Sequence, residues 1–306
     1  MYERISQIIR MAKEKDEMKK IVILSFLISS LFGQVNRILD ISPSAYETSV
    51  GNQSLVYRSP ARNFMTKDDT LSHVTFTRMN WLGHIVSDMT YNYVEYNWKD
   101  LDFSFTYKNY GQQKHTDETG VVLNNFSPNS MVIYVGWGTN LTYNGKPMNN
   151  TFIGMAGKLI SHDLYLEKGN GILMDVGIHQ RNIVDLIDLD VMLKNWGFAP
   201  RIGTVTTESP TSVQIGASIE RKSLTLYNQW NMYKGYYTHG QGISYNYKNT
   251  IVGRLGYYND IEHELNYSSL GLSFMYDKYD IGVGYIIGGE IFPLSNTLQL
   301  TINLEL

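Results

Sequence analysis

The chain has 306 residues, 43% hydrophobic, 18% charged and 13% aromatic, with 23 tyrosines, 26 glycines, no cysteine and a formal charge of −3. That balance excludes a disulfide scaffold, a thiolate metal or redox site and a polybasic nucleic-acid binder. It is also too apolar and too weakly charged for an intrinsically disordered chain.

Residues 1–17 are polar and of mixed charge, and Met18-Lys19-Lys20 then opens an apolar run from Ile21 through Leu31-Phe32-Gly33. A basic flank, a short apolar stretch and a small residue before Gln34 read as a secretory signal peptide, with Met18 a candidate true start. The run is well short of the ~20 residues of a spanning helix. Residues 1–33 are thus an N-terminal extension plus signal peptide, and no cysteine follows to carry a lipid anchor. Residues 34–70 form a separate segment. In it Ser42-Pro43-Ser44 caps a helical turn or two through Ala45–Ser49, and Gly51 stops it, which suits a hatch or plug.

From residue 71 onward the sequence alternates. Leu101, Phe103, Phe105 and Tyr107 share one face and Asp102, Ser104 and Thr106 the other, the period-2 signature of a strand. Fourteen such segments follow, near 71–80, 84–97, 100–110, 130–139, 152–161, 170–179, 184–194, 211–220, 222–231, 239–247, 250–258, 267–276, 279–287 and 296–305. Most have the ~9–11 residues of a tilted strand crossing a bilayer. Pro128, Pro147, Pro200, Pro210 and Pro293 fall between segments, where a missing N–H breaks no ladder bond. Longer connections are expected at 111–129, 195–210 and around 140–151.

The faces opposite the apolar residues hold Gly, Ser, Thr, Asn and Gln with few Lys or Glu, which suits a lumen better than bulk water. Aromatic residues near segment ends (Trp81, Tyr96, Trp98, Tyr107, Tyr110, Trp137, Trp196, Trp230, Tyr257, Tyr258) fit interfacial girdles. The expected fold is all-β, a transmembrane antiparallel β-barrel of about fourteen strands over residues 71–306, preceded by a short hatch. Its expected place is the outer membrane of a Gram-negative-type bacterium, with outer-membrane lipid as one partner. A secreted sandwich or propeller is the rival architecture, and the Leu304-Glu305-Leu306 terminus lacks the aromatic residue that often ends such barrels.

No catalytic constellation is legible. The seven histidines show no metal-ligand spacing, and His263 lies between Glu262 and Glu264 without a second ligand nearby. Ser161-His162-Asp163 would point to alternate faces of a strand, so it makes no triad. Asp185, Asp188 and Asp190 lack the loop and terminal Glu of a calcium site and read as a lumen-facing or strand-end cluster. Gly282, Gly284, Gly288 and Gly289 lack phosphate-loop spacing, which leaves barrel-interior or turn glycines. No catalytic residue, metal or cofactor is expected.

The order of motifs resembles the PorV/PorQ family of outer-membrane barrels, itself similar to the FadL-type fatty-acid transporters. Leu55-Val56-Tyr57-Arg58-Ser59-Pro60-Ala61 stands where that family carries an aromatic residue and Asn-Pro-Ala, with Ser59 in place of the Asn. Tyr110-Gly111, Thr116–Gly120 and Asn125–Ser130 are similar to its Tyr-Gly, Asp-Glu-x-Gly and Phe-Ser-x-x-Asp series. Met174–Gly177, Lys194–Gly197, Glu208–Pro210 with Gln214–Gly216, Gly253–Tyr257 and Glu264-Leu265 continue the likeness, which is most like PorQ. The resemblance implies a fourteen-stranded barrel with a hatch and no enzyme activity, serving type IX secretion by binding a PorZ-like surface protein or secreted cargo. It makes Tyr57, Ser59, Pro60 and Ala61 the candidate binding residues. A passive, FadL-like transporter of hydrophobic small molecules is the alternative.

Overall fold

The computed structural model describes residues 37–55, 59–63, 72–80, 88–116, 121–143, 146–183, 186–261, 265–288 and 295–306. The chain falls into two units, residues 1–41 and 42–306. In the first, residues 37–41 are described and contain a 3₁₀ turn, Arg37–Leu39. The expected signal peptide and the alternative start at Met18 lie outside the described residues.

The second unit opens with two short helices, α1 (Ala45–Thr48) and α2 (Pro60–Asn63). Strands follow: β1 (His73–Met79), β2 (Thr90–Trp98), β3 (Leu101–Asn109), β4 (Gln113–Thr116), β5 (Val122–Phe126), β6 (Asn129–Tyr143), β7 (Lys146–Asp163), β8 (Lys168–Gln180) and β9 (Ile187–Phe198). Then come β10 (Arg201–Ile202), β11 (Val205–Thr206), β12 (Ser212–Arg221), β13 (Leu224–Tyr233), β14 (Tyr236–Tyr247), β15 (Ile251–Asp260), β16 (Leu265–Tyr276), β17 (Tyr279–Ile287) and β18 (Leu298–Glu305). Among the described residues, fourteen of these close one antiparallel barrel, with β4–β5 and β10–β11 forming separate two-stranded sheets. Closure is made by β1, where Thr77 lies opposite both Tyr93 of β2 and Thr301 of β18. Closing the sheet removes the unpaired edges that no hydrocarbon environment tolerates.

Each strand alternates as the sequence pattern requires, but with the apolar face outside. Phe105 is 40% exposed while Asp102 on the opposite face is 1% exposed. Ile172, Met174, Val176 and Ile178 of β8 likewise face outward, and Leu173, Asp175 and His179 are buried. A soluble sheet would reverse this, whereas a bilayer makes the apolar exterior the favourable arrangement. Trp98, Trp137, Trp196, Trp230 and Tyr257 are exposed on that exterior.

Turns sort by rim. At the rim where β1 starts and β18 ends, connections such as 222–223 and 277–278 are short, whereas 110–128 and 199–211 at the other rim are long. Lys234-Gly235 and Lys248-Asn249 all take positive φ, as mirror-image hairpin turns need.

Four expectations are corrected. Residues 140–151 are mostly strand, because β6 runs to Tyr143 and β7 begins at Lys146. Pro147 therefore lies inside β7, opposite Thr142 and beside a register shift near the strand's first residue, where its missing N–H is tolerated. Asn195–Phe198 belong to β9 rather than to a loop. Tyr110 and Tyr258 do not join the girdle, since Tyr110 bonds the fully buried Ser130 and Tyr258 stacks on the buried Tyr267.

Candidate functional site

The hatch enters the barrel through a locally determined turn. Ser44 caps α1, its Oγ accepting from the Glu47 N–H at 3.3 Å, and Ser49 Oγ closes the other end by donating to the Ala45 carbonyl at 2.6 Å. Gly51, at φ +83°, then turns the chain in a conformation that L side chains rarely adopt.

Carboxamide and hydroxyl groups of the wall hold this segment. The Ala45 N–H donates to Thr301 Oγ1 at 2.8 Å, and Thr48 Oγ1 donates to Gln299 Oε1 at 2.5 Å. Gln299 Nε2 in turn donates to the Ser42 carbonyl at 2.9 Å. Across the lumen, the Leu55 N–H donates to Gln229 Oε1 at 2.9 Å and Ser54 Oγ to Gln214 Oε1 at 3.3 Å. Gln229, Gln299 and Thr301 are at most 1% exposed, so each such bond satisfies a group that would be costly to leave unpaired. Tyr46 reaches the Asp280 carbonyl at 3.1 Å, with the Arg254 guanidinium 4.8 Å from its ring centre.

Glycine makes room for it. A Cβ at Gly242 or Gly256 would collide with the backbone of Val50 and Gly51, one at Gly271 with Ser49, and one at Gly282 with the Tyr46 ring. Opposite, Gly138 and Gly154 lie directly under Pro60. The sequence reading of Gly282 and Gly284 as interior glycines is correct, and the reason is this close backbone approach.

Of the candidate binding residues, Ser59, Pro60 and Ala61 are buried against the wall made by β6, β7 and β8, and Tyr57 lies outside the described residues. The Ser59 hydroxyl is fully buried without a hydrogen-bond partner and faces Gly177.

The wall formed by β6–β9 carries the charge. Lys158 Nζ lies 2.6 Å from Asp175 Oδ2 and donates to Asn195 Oδ1 at 2.7 Å, and the Asn195 N–H donates to Asp175 Oδ1 at 2.8 Å. Asn195 sits at φ +58° where the β8–β9 register shifts, a bulge that aims its backbone at Asp175. Thr211 Oγ1 and Ser209 Oγ donate to the Asn195 carbonyl, which ties the 199–211 loop to the wall. Pro200, Arg201 and Ile202 of that loop pack on Gly169 and Gly171, so the loop folds inward over β8.

Asp188 and Asp190 converge on His179, with Asp190 Oδ1 at 2.9 Å from Nδ1 and Asp188 at 4.0 Å from Nε2. This is the lumen-facing cluster the sequence suggests, although Asp185 lies outside the described residues, as do Glu262, His263 and Glu264. The Ser161-His162-Asp163 run comes apart as expected: His162 turns inward to Ser130 Oγ at 2.6 Å, while Asp163 pairs with Lys168. Ser130 also meets Tyr110, whose phenol burial pushes above its ordinary range, partly offset by that bond. His162 Nε2 has no hydrogen-bond partner among the described residues, so the ring is held through Nδ1 alone. No cluster with metal-ligand character occurs among the described residues. Sequence reasoning missed Lys158, Gln229 and Gln299, whose only signal is an inward position in an alternating strand, and it quoted Asn195 only within a turn-like motif.

No family model matches the chain, and no curated protein does. The fold has close structural counterparts. The toluene transporter TodX of Pseudomonas putida superposes with a TM-score of 0.55 at 12% identity, covering 87% of this chain and 97% of its own. CymD, a monoaromatic hydrocarbon channel, gives 0.51 at 10% identity over 87% and 97%. At such identities the likeness is one of fold: an all-β, closed, fourteen-stranded antiparallel barrel.

Proposed function

We propose that this protein is an outer-membrane channel that passes hydrophobic small molecules passively, with the 42–63 segment as its hatch. The observation that carries this reading is the seating of a hatch backbone directly on wall glycines, held by hydrogen bonds to wall side chains and by Tyr46 against Arg254. Such a contact closes the lumen without covalent attachment and leaves little side-chain interdigitation to undo. The fold shared with TodX and CymD, which transport monoaromatic hydrocarbons, supports the same reading.

A second reading, surface protein docking in the manner of the PorV/PorQ family, draws on a different observation. The lumen is polar and occupied, and Val121, Val122 and Leu123 are 57%, 47% and 58% exposed at the β4–β5 ribbon, where a secreted cargo or PorZ-like protein would find an apolar edge. Uptake of toluene and of a disaccharide by liposomes carrying the protein separates the two. Toluene entry faster than in protein-free liposomes, with the sugar excluded, supports the channel. No uptake of either, together with capture of a secretion component from outer membranes, would replace it.

A further inference from the structure

The outer face of the barrel is not uniformly apolar. Along β13 the outward residues are Leu224, Leu226, Asn228 and Trp230, and along β14 they are His239, Gln241, Ile243 and Tyr245. Three hydrogen-bonding side chains, Asn228, His239 and Gln241, thus stand together on this face, with Asn259 and Ser268 in the adjoining outward rows and Leu, Ile and Val further along β14 to β17. Polar groups on a lipid-facing surface are costly and call for an explanation.

Their geometry is built rather than incidental. Asn228 Nδ2 lies 3.0 Å and Gln241 Nε2 3.5 Å from His239 Nε2. The Trp230 ring stacks on the imidazole at 4.0 Å and 17°, which fixes its plane. With Nε2 accepting, the ring proton sits on Nδ1. In that tautomer the trio offers one further donor, the Nδ1–H, and two carboxamide acceptors, Asn228 Oδ1 and Gln241 Oε1.

Immediately below, on the side away from the long loops, the surface is hollow. Gly253 occupies an outward position of β15, and a Cβ there would meet nothing within 4 Å. The gap belongs to a groove of ≈ 610 Å³ lined mainly by Ile243, Leu255, Leu270, Leu272 and Val283, with Arg254 also part of its lining. On β14 the outward order Gln241, Ile243, Tyr245 leads directly from the polar trio into the groove, and on β15 Tyr257, Leu255, Gly253 does the same. The site therefore has an apolar trough and a hydrogen-bonding head at its loop-side end.

We propose that this face is a binding site for one saccharolipid of the outer leaflet, an acyl chain lying in the Gly253 groove with its amide or sugar hydroxyls on Asn228, His239 and Gln241. The mixture of donor and acceptors, with no lysine or arginine in the trio, selects hydroxyl and amide groups over a bare phosphate. The loop rim marks the outer leaflet, because long loops are extracellular in such barrels. The proposal rests on the outer-membrane reading above but not on channel activity.

Native mass spectrometry of the full chain in detergent, titrated with hexa-acyl lipid A, with phosphatidylglycerol of equal chain length and with the free fatty acid, tests it. Lipid A is expected to be retained about tenfold more tightly than either. Gly253→Phe, which fills the trough, and Asn228→Leu with Gln241→Leu, which strips the head, should each abolish that preference, whereas Gly253→Ala should keep it. Heat-modifiable mobility verifies that each variant is folded. Equal retention of all three lipids, preference surviving both variants, or a dimer that covers the groove would overturn the proposal. Loss of toluene uptake with the lipid preference intact would instead sink the channel reading alone.

Discussion

The two walls of the lumen solve opposite problems. The wall of β14–β17 is stripped to Gly242, Gly256, Gly271 and Gly282, and the backbone of residues 45–51 lies flat upon it. The wall of β7–β9 keeps long polar side chains, pairs Lys158 with Asp175 and hydrogen-bonds His179 to Asp190. The first gains contact area where its glycines let residues 45–51 approach closely, so its closure depends on steric fit. The second holds its shape by paired charge, so its integrity depends on no member being removed. The proposed channel requires both, a segment that can leave and a wall that remains.

The largest expected break of this contrast is on the glycine wall. Gly256→Val forces a side chain into the Val50–Gly51 backbone and should displace the hatch, raising single-channel conductance in planar bilayers well above the wild-type background. An unchanged trace would show that the hatch does not close the lumen. On the charged wall, Asp175→Ala removes the carboxylate paired with the Lys158 ammonium, 7% exposed, and should cost about 3–5 kcal/mol in urea unfolding. Adding Lys158→Ala should recover much of that loss, and purely additive losses would refute the pairing argument. Gln299→Ala removes one bond each to Thr48 and Ser42 and should cost about 1–3 kcal/mol while making the hatch segment more open to proteolysis. The smallest effect is at the rim. Lys234, fully exposed, pairs with Glu208, which raises its basicity above the ordinary value. That contact is complete below the usual lysine range and is lost only as pH rises beyond it, so Lys234→Ala should leave the melting temperature unchanged at neutral pH.

Much of the barrel was readable because lipid outside and a lumen inside impose a period of two on every strand. All fourteen predicted segments coincide with barrel strands, with edges displaced by up to six residues, as at the start of β7. Pro147 was misplaced because a proline near a strand's first residue looks the same in sequence as one in a loop. The α1 turn was legible too, because Ser44, Ser49 and Gly51 act on neighbours a few positions away. The site was less so. Asp188 and Asp190 could be grouped by spacing, but their histidine, His179, comes from the next strand. Gln229 and Gln299 stand 174 and 251 residues from the hatch groups they hold, beyond any local signal.

By itself the sequence determined that this chain is an alternating, lipid-faced barrel with a capped turn ahead of it, since alternation, capping and turn chemistry act between neighbours in the chain. Which glycines admit the hatch, which charges neutralise one another and where the outer face turns polar were decided by the tertiary structure. Those features depend on the register between strands and on closure, which bring together residues that no spacing along the chain relates.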